Sequence, residues 1–103
     1  MPEKYKIKKS QIHGKGVFSN CNINKNEIIG EGIIMKFGLV PYITPELGRL
    51  LNHSKNSNCK LKYYKNIYYI IAKKDIPTNT EITINYDDYE IPWFIQGSQP
   101  HYV

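Results

Sequence analysis

Four stretches of this chain carry residue types at spacings that could support chemistry. His13-Gly14-Lys15-Gly16 is a tight turn in its plainest reading. In a functional reading it is a loop whose bare backbone lets a ligand come close. It lacks the third glycine and the following helix of a dinucleotide fingerprint. Asn52-His53-Ser54, four residues before Asn58, sets an amide, an imidazole and a hydroxyl side by side in a polar loop. No second histidine or acid lies near it at metal-ligand spacing, so no metal site is expected. Ser54 adjoins His53 in sequence and is poorly placed for nucleophilic activation by it. Tyr63, Tyr64, Tyr68 and Tyr69 alternate with Lys60, Lys62 and Lys65. Half of these rings should be core; the other reading is a stacking platform for single-stranded nucleic acid. Glu81-Ile82-Thr83-Ile84-Asn85-Tyr86 alternates and ends on a phenol.

The elements that must position these residues are short strands. Ile and Tyr dominate the apolar set, and both suit a pleated, half-buried surface. Alternation predicts a strand over residues 5–9, a second starting at Val17-Phe18, and a last one over 81–86. Glu27 to Ile34 reads as an apolar strand in which Gly30 and Gly32 signal bulges or a close approach. Residues 60–72 read as a hairpin turning at Lys65-Asn66, and Pro77-Thr78-Asn79-Thr80 as another turn. Residues 35–48 read as irregular, with Thr44-Pro45-Glu46-Leu47 able to cap one helical turn. No segment sustains helical periodicity, so a predominantly β fold is expected.

Composition narrows the function classes. At 103 residues and 12.0 kDa the chain is one domain, which excludes eight-fold barrels and full doubly wound nucleotide folds. With 41% hydrophobic and 22% charged residues it is not a disordered composition. No apolar run is long enough to span a membrane. The start Met1-Pro2-Glu3-Lys4 lacks the apolar core of a signal peptide, so a soluble intracellular protein is expected. Cys21 and Cys59 are too few for a disulfide scaffold or a four-thiolate zinc site, and the sequence leaves a single bridge between them open. The net charge of +5 conceals an asymmetry: residues 1–75 carry all fourteen Lys/Arg against five acids, while 76–103 carry four acids and no Lys or Arg. An acidic end of this kind suits a basic substrate.

Taken in order, His13-Gly14-Lys15-Gly16-Val17-Phe18, then Arg49-Leu50-Leu51-Asn52-His53-Ser54 with Asn58, then Glu81-Ile82-Thr83-Ile84-Asn85-Tyr86 resemble the SET-domain family of S-adenosylmethionine-dependent protein-lysine methyltransferases. The resemblance runs from about Lys8 to Trp93 within a single domain covering 1–103. The run Ile84-Asn85-Tyr86-Asp87-Asp88-Tyr89 is most similar to the small stand-alone viral SET proteins that methylate histone tails.

The resemblance implies a mainly β, β-clip type fold with a knotted C-terminal core and little helix. It implies S-adenosyl-L-methionine as cofactor, with main chain at Lys15, Gly16 and Val17 along its methionine portion. Asn52 would hold its amino-acid end, the His53 backbone would meet the adenine, and Arg49 fills the motif's leading position. Trp93 is the first choice, and Phe94 the second, for the aromatic cover of the adenine. Tyr86 falls on the active-site tyrosine. Ile84 stands where many relatives carry a methylation-limiting Phe or Tyr. Asp87, Asp88 and Tyr89, with Glu90, would flank the channel mouth and meet the substrate. The family's insert, here about residues 35–48, is very short, and no cysteine cluster follows Tyr86 to bind zinc.

The chemistry agrees with these residue types. Methyl transfer from a sulfonium to an amine is an in-line displacement, so alignment supplies most of the catalysis. The target lysine, with a free pKa of about 10.4, must be neutral, and an apolar channel beside a sulfonium disfavours its charged form. A lysine-bearing basic protein such as a histone tail is the implied substrate. A homodimer is the implied assembly, with no membrane and no direct nucleic-acid partner. The implied compartment is the host nucleus for a viral or eukaryotic source and the cytoplasm for a bacterial one. Two rival readings stand beside this one: a catalytically weak SET-like module that binds basic tails, and a small basic β-domain that binds nucleic acid through the Lys/Tyr hairpin.

Overall fold

A computed structural model of the chain describes residues 3–88. Tyr89, Trp93 and Phe94 lie outside the described residues. Strands β1 (Tyr5–Lys9) and β2 (Lys15–Ser19) form an antiparallel ribbon, closed by the turn that contains Gly14 at φ +48°. β2 begins two residues earlier than alternation predicts, because Lys15 and Gly16 still pair with Lys9 and Lys8.

The largest sheet has four antiparallel strands. Strand β3 (Ile28–Lys36) pairs on one side with β4 (Val40–Ile43) and on the other with β7 (Ile67–Ala72). Strand β6 (Cys59–Tyr64) completes the order β4-β3-β7-β6. The expected irregularities in β3 are present as register shifts between Ile28 and Gly30 and between Glu31 and Ile33. The β6–β7 turn falls at Lys65-Asn66, both at positive φ, the mirror-image turn that matches strand twist.

The structure corrects three further expectations. Residues 40–43, read as irregular, form β4, because an edge strand has a free side on which Pro41 needs no N–H. The last strand is shorter than 81–86. Only β8 (Thr83–Ile84) is extended, and a 3-10 turn starts at Tyr86. β8 pairs in parallel with β5 (Asn52–His53), a two-residue strand inside what the sequence suggested was loop. Thr44 does cap a turn: its hydroxyl accepts from the Gly48 N–H at 2.8 Å, and Arg49 N–H donates to its carbonyl at 3.0 Å.

One face of the large sheet packs onto β5, β8 and the β1–β2 ribbon. Ile33, Ile70, Ala72 and Cys59 meet Val17, Leu51, Ile82 and Ile84 in a single core. Cys21 is exposed and Cys59 buried, and both thiols are free, which closes the question of a bridge.

Candidate active site

Three stretches remote in sequence meet around Glu81. Its carboxylate accepts from the Ser10 hydroxyl at 2.8 and 2.9 Å and from the Asn52 side-chain amide at 2.8 Å. The same Asn52 amide reaches the Ser10 hydroxyl at 3.1 Å and the His13 carbonyl at 3.3 Å. Asn52 is buried, so its donors are spent on tying the glycine loop to the C-terminal segment. Asn58 braces that segment from the other side. It donates to the Glu81 carbonyl at 2.8 Å and accepts from the Thr83 N–H at 3.0 Å, standing in for a neighbouring strand. Gly16 is buried beneath this cluster, and a Cβ there would overlap the Glu81 carboxylate.

Tyr86 lies on the other side of β5. It is 2% exposed, and its hydroxyl donates to the Leu51 carbonyl at 2.6 Å. Its own N–H donates to Nδ1 of His53 at 3.0 Å, so the imidazole serves as an acceptor there, and the two rings lie 5.1 Å apart at 52°. The Tyr86 ring borders a cavity of about 20 Å³ lined by Ile33, Leu51, Leu61, Ile70 and Ile84, with Gly32 and Gly48 completing it. That volume is close to the room one water needs, and its lining is apolar.

A larger cleft of about 900 Å³ lies nearby, lined by Glu3, Tyr5, Glu31 and Glu46 among others. Two of its lining residues, Glu31 and Leu47, are the chain neighbours of Gly32 and Gly48, which line the small cavity. Burial first, and then the neighbouring Glu3, push the Tyr5 phenol up to about 12, and Lys4 lines the cleft beside the three acids.

The SET domain family profile matches residues 32–87, more than half of the 103-residue chain. The chain belongs to the SET domain family. No curated protein sequence matches it. Among solved structures, it resembles a chain from a humanized mutant of the Chaetomium thermophilum Polycomb Repressive Complex 2 bound to the inhibitor GSK126. That likeness has a TM-score of 0.68 at 19% identity over 85% of this chain, which spans only 15% of the Polycomb chain. It also resembles a Plasmodium falciparum protein described as a putative histone methyltransferase, with a TM-score of 0.61 at 26% identity over 90% of this chain and 99% of that one. The first likeness concerns the fold alone.

Within this SET domain the sequence-selected residues fall into three groups. Gly16, Val17, Asn52, His53, Ile84 and Tyr86 converge, with Val17 and Ile84 in the core and Ile84 on the small cavity. Lys15, Arg49 and Asp87 are exposed, and Asp87 N–H caps back onto the Asn85 side chain at 3.0 Å. Asp88 closes the 3-10 turn. The Asn52 side-chain amide has its donors on Ser10, His13 and Glu81. A buried amide beside a carboxylate and a hydroxyl satisfies those partners first.

Ser10, Glu81 and the cleft acids Glu3, Glu31 and Glu46 were not singled out from sequence. Glu81 carried only the weak signal of a charge opening an apolar strand. The cleft acids were hidden because the net charge of residues 1–75 is strongly positive.

Proposed function

We propose that this SET domain is an S-adenosylmethionine-dependent protein-lysine N-methyltransferase acting on a basic protein, with histone tails as the leading substrate class. The observation that carries this reading is the buried Tyr86 hydroxyl, fixed on the Leu51 carbonyl at the edge of an apolar cavity. The glycine loop offers room for the cofactor: a Cβ at Gly14 would meet nothing within 4 Å, so backbone there is open to a ligand. When bound, S-adenosylmethionine supplies a methyl group activated on a sulfonium.

The chain's own residues then do four things. The main chain at Lys15, Gly16 and His53 would hold the cofactor, with Arg49 beside it and Trp93 over the adenine. Asn52 acts by anchoring the His13 carbonyl and so the loop. Tyr86, its hydroxyl held on the Leu51 carbonyl, would orient the amine and the polarised methyl. Ile33, Leu51, Leu61, Ile70 and Ile84 surround that amine with apolar surface, which favours its neutral form.

Ile84 brings no hydroxyl to the cavity, which supports acceptance of more than one methyl. Glu3, Glu31 and Glu46 around the neighbouring cleft support a basic substrate, joined by the exposed Asp87. A homodimer and an intracellular, in a eukaryotic host nuclear, location complete the proposal; sedimentation and imaging of the tagged chain test these.

The deciding experiment is incubation with methyl-labelled cofactor and a panel of histones, followed by mass spectrometry of the modified site. Label should enter a lysine side chain. Tyr86→Phe should lose turnover by at least about a hundredfold through misalignment of the amine, with cofactor affinity kept. Full activity in that variant would remove Tyr86 from its role, and a strictly monomethylated product would remove the argument from Ile84.

A further inference from the structure

The large sheet has two faces; the main core cluster uses one, and on the other only Ile71 is buried. Register places Ile43, Ile33, Tyr68 and Tyr63 in one row across the four strands; Ile33 and Ile43 belong to the core, and Tyr68 packs against it. The adjacent row faces the opposite way and reads Tyr42, Ile34, Ile67, Tyr64. Beyond it on the same face lie Glu31, Tyr69 and Lys62, then Ile28, Ile71 and Lys60. Tyr42 and Tyr64 are 44% and 50% exposed. They stand three inter-strand steps apart, roughly 14 Å, with Tyr69 one row below and between them.

Cations border these rings. The Lys36 ammonium lies 5.2 Å from the Tyr42 ring centroid, and that of Lys65 lies 5.4 Å from Tyr64. With Lys60 and Lys62 they make four lysines against the single carboxylate of Glu31, and none of the four is paired with an acid among the described residues. At the end of the face the β3–β4 and β6–β7 tips touch, Met35 N–H donating to the Asn66 carbonyl at 2.6 Å. Phe37 projects from the first tip, 95% exposed and at φ +54°. An aromatic side chain in that conformation is strained, and strain of this kind gathers at binding surfaces.

We infer that this outer sheet face binds single-stranded nucleic acid, with bases stacked on Tyr42, Tyr64 and Tyr69 and phosphates met by Lys36, Lys60, Lys62 and Lys65. Flat rings interleaved with cations match alternating bases and phosphates. A second copy of the same lysine-bordered face would be repelled. An acidic peptide would satisfy the lysines but leave the rings without stacking partners, and a duplex hides its base faces. The Tyr86 cavity opens among Ile33, Leu61 and Ile70 on the sheet's other side. Glu31 borders both this face and the acidic cleft. None of the stacking rings or of these lysines lines the cavity or the cleft, so the inference does not depend on methyl transfer.

Fluorescence anisotropy of the full chain with a labelled twelve-residue oligouridine, titrated with salt, tests it. Binding should weaken steeply with salt, and Lys60→Gln with Lys62→Gln should lower the slope by about 0.7 for each phosphate no longer neutralised. Tyr42→Ala and Tyr64→Ala should each weaken binding by about tenfold, while Tyr→Phe at the same positions keeps it. The phenylalanine pair also controls for folding, checked by unchanged melting. Equal affinity for duplex or polyglutamate, insensitivity to ring removal, or a dimer that dissociates on ring removal would each overturn the inference.

Discussion

Glu81 receives hydrogen bonds from Ser10 and from Asn52 in a partly buried setting, and bonds to a charged group contribute about 1.5–3 kcal/mol each. That makes one carboxylate a principal tie between the two ends of the described chain. Of the two cysteines, Cys59 shows the opposite behaviour, carrying chemistry that the fold suppresses. Burial pushes the Cys59 thiol up to about 12, while Cys21 is exposed. Iodoacetamide at pH 8 should therefore modify one thiol in the native chain and two in denaturant; equal native rates would show that Cys59 is accessible. An unfolded Cys59 ionises near 9.0 and the folded one near 12, so the unfolded state releases its proton first and stability falls as pH rises across that window. At this scale Tyr86 and His53 were legible as residues, because their motifs are distinctive. The partners of Asn52 were not, because nothing in a linear sequence says that Ser10 and Glu81 flank it.

β2 runs so close to the C-terminal segment that any Cβ at position 16 must displace the Glu81 carboxylate. A Cβ there would overlap the Glu81 carboxylate and come 3.1 Å from the Ser10 Cβ. Gly16→Ala should cost about 1–3 kcal/mol, lowering the melting temperature by about 4–8 °C per kcal/mol in a domain of this size. An unchanged melting curve would mean that Glu81 swings aside and that its bonds to Ser10 and Asn52 are dispensable. Elements with period-two patterns were readable: β1, β6, β7 and the glycine-marked bulges of β3 follow directly from side-chain alternation and turn chemistry. β4 was masked by Pro41 and its flanking glycines, whose breaker character matters less on an edge. β8 lies within the strand read over 81–86, whereas β5 and its parallel pairing with β8 were not legible. Two-residue strands have no periodicity, and parallel pairing is a property of the assembled fold.

Across the whole molecule, the core and the Tyr86 cavity share Ile33, Leu51, Ile70 and Ile84, and Asn52 of the Glu81 cluster follows Leu51 in the chain. A ligand seated at the glycine loop should therefore reinforce all three. S-adenosylmethionine at a hundred times its dissociation constant should stabilise the folded state by about 2.7 kcal/mol, read as a rise in melting temperature of about 10 °C or more. No rise at millimolar concentration would remove this cofactor from the proposal. The resemblance that suggested the SET fold worked at this scale because three ordered motifs leave few architectures able to bring them together. The bond between Ser10 and Glu81 closes a loop of 71 residues, and that between Asn52 and Glu81 a loop of 29. A ribosome making this protein therefore emits Ser10, the glycine loop and Asn52 well before the carboxylate that ties them has been synthesised. The ties from Ser10 and Asn52 to that carboxylate form only once it has emerged, and a nascent chain halted earlier lacks the group that joins them.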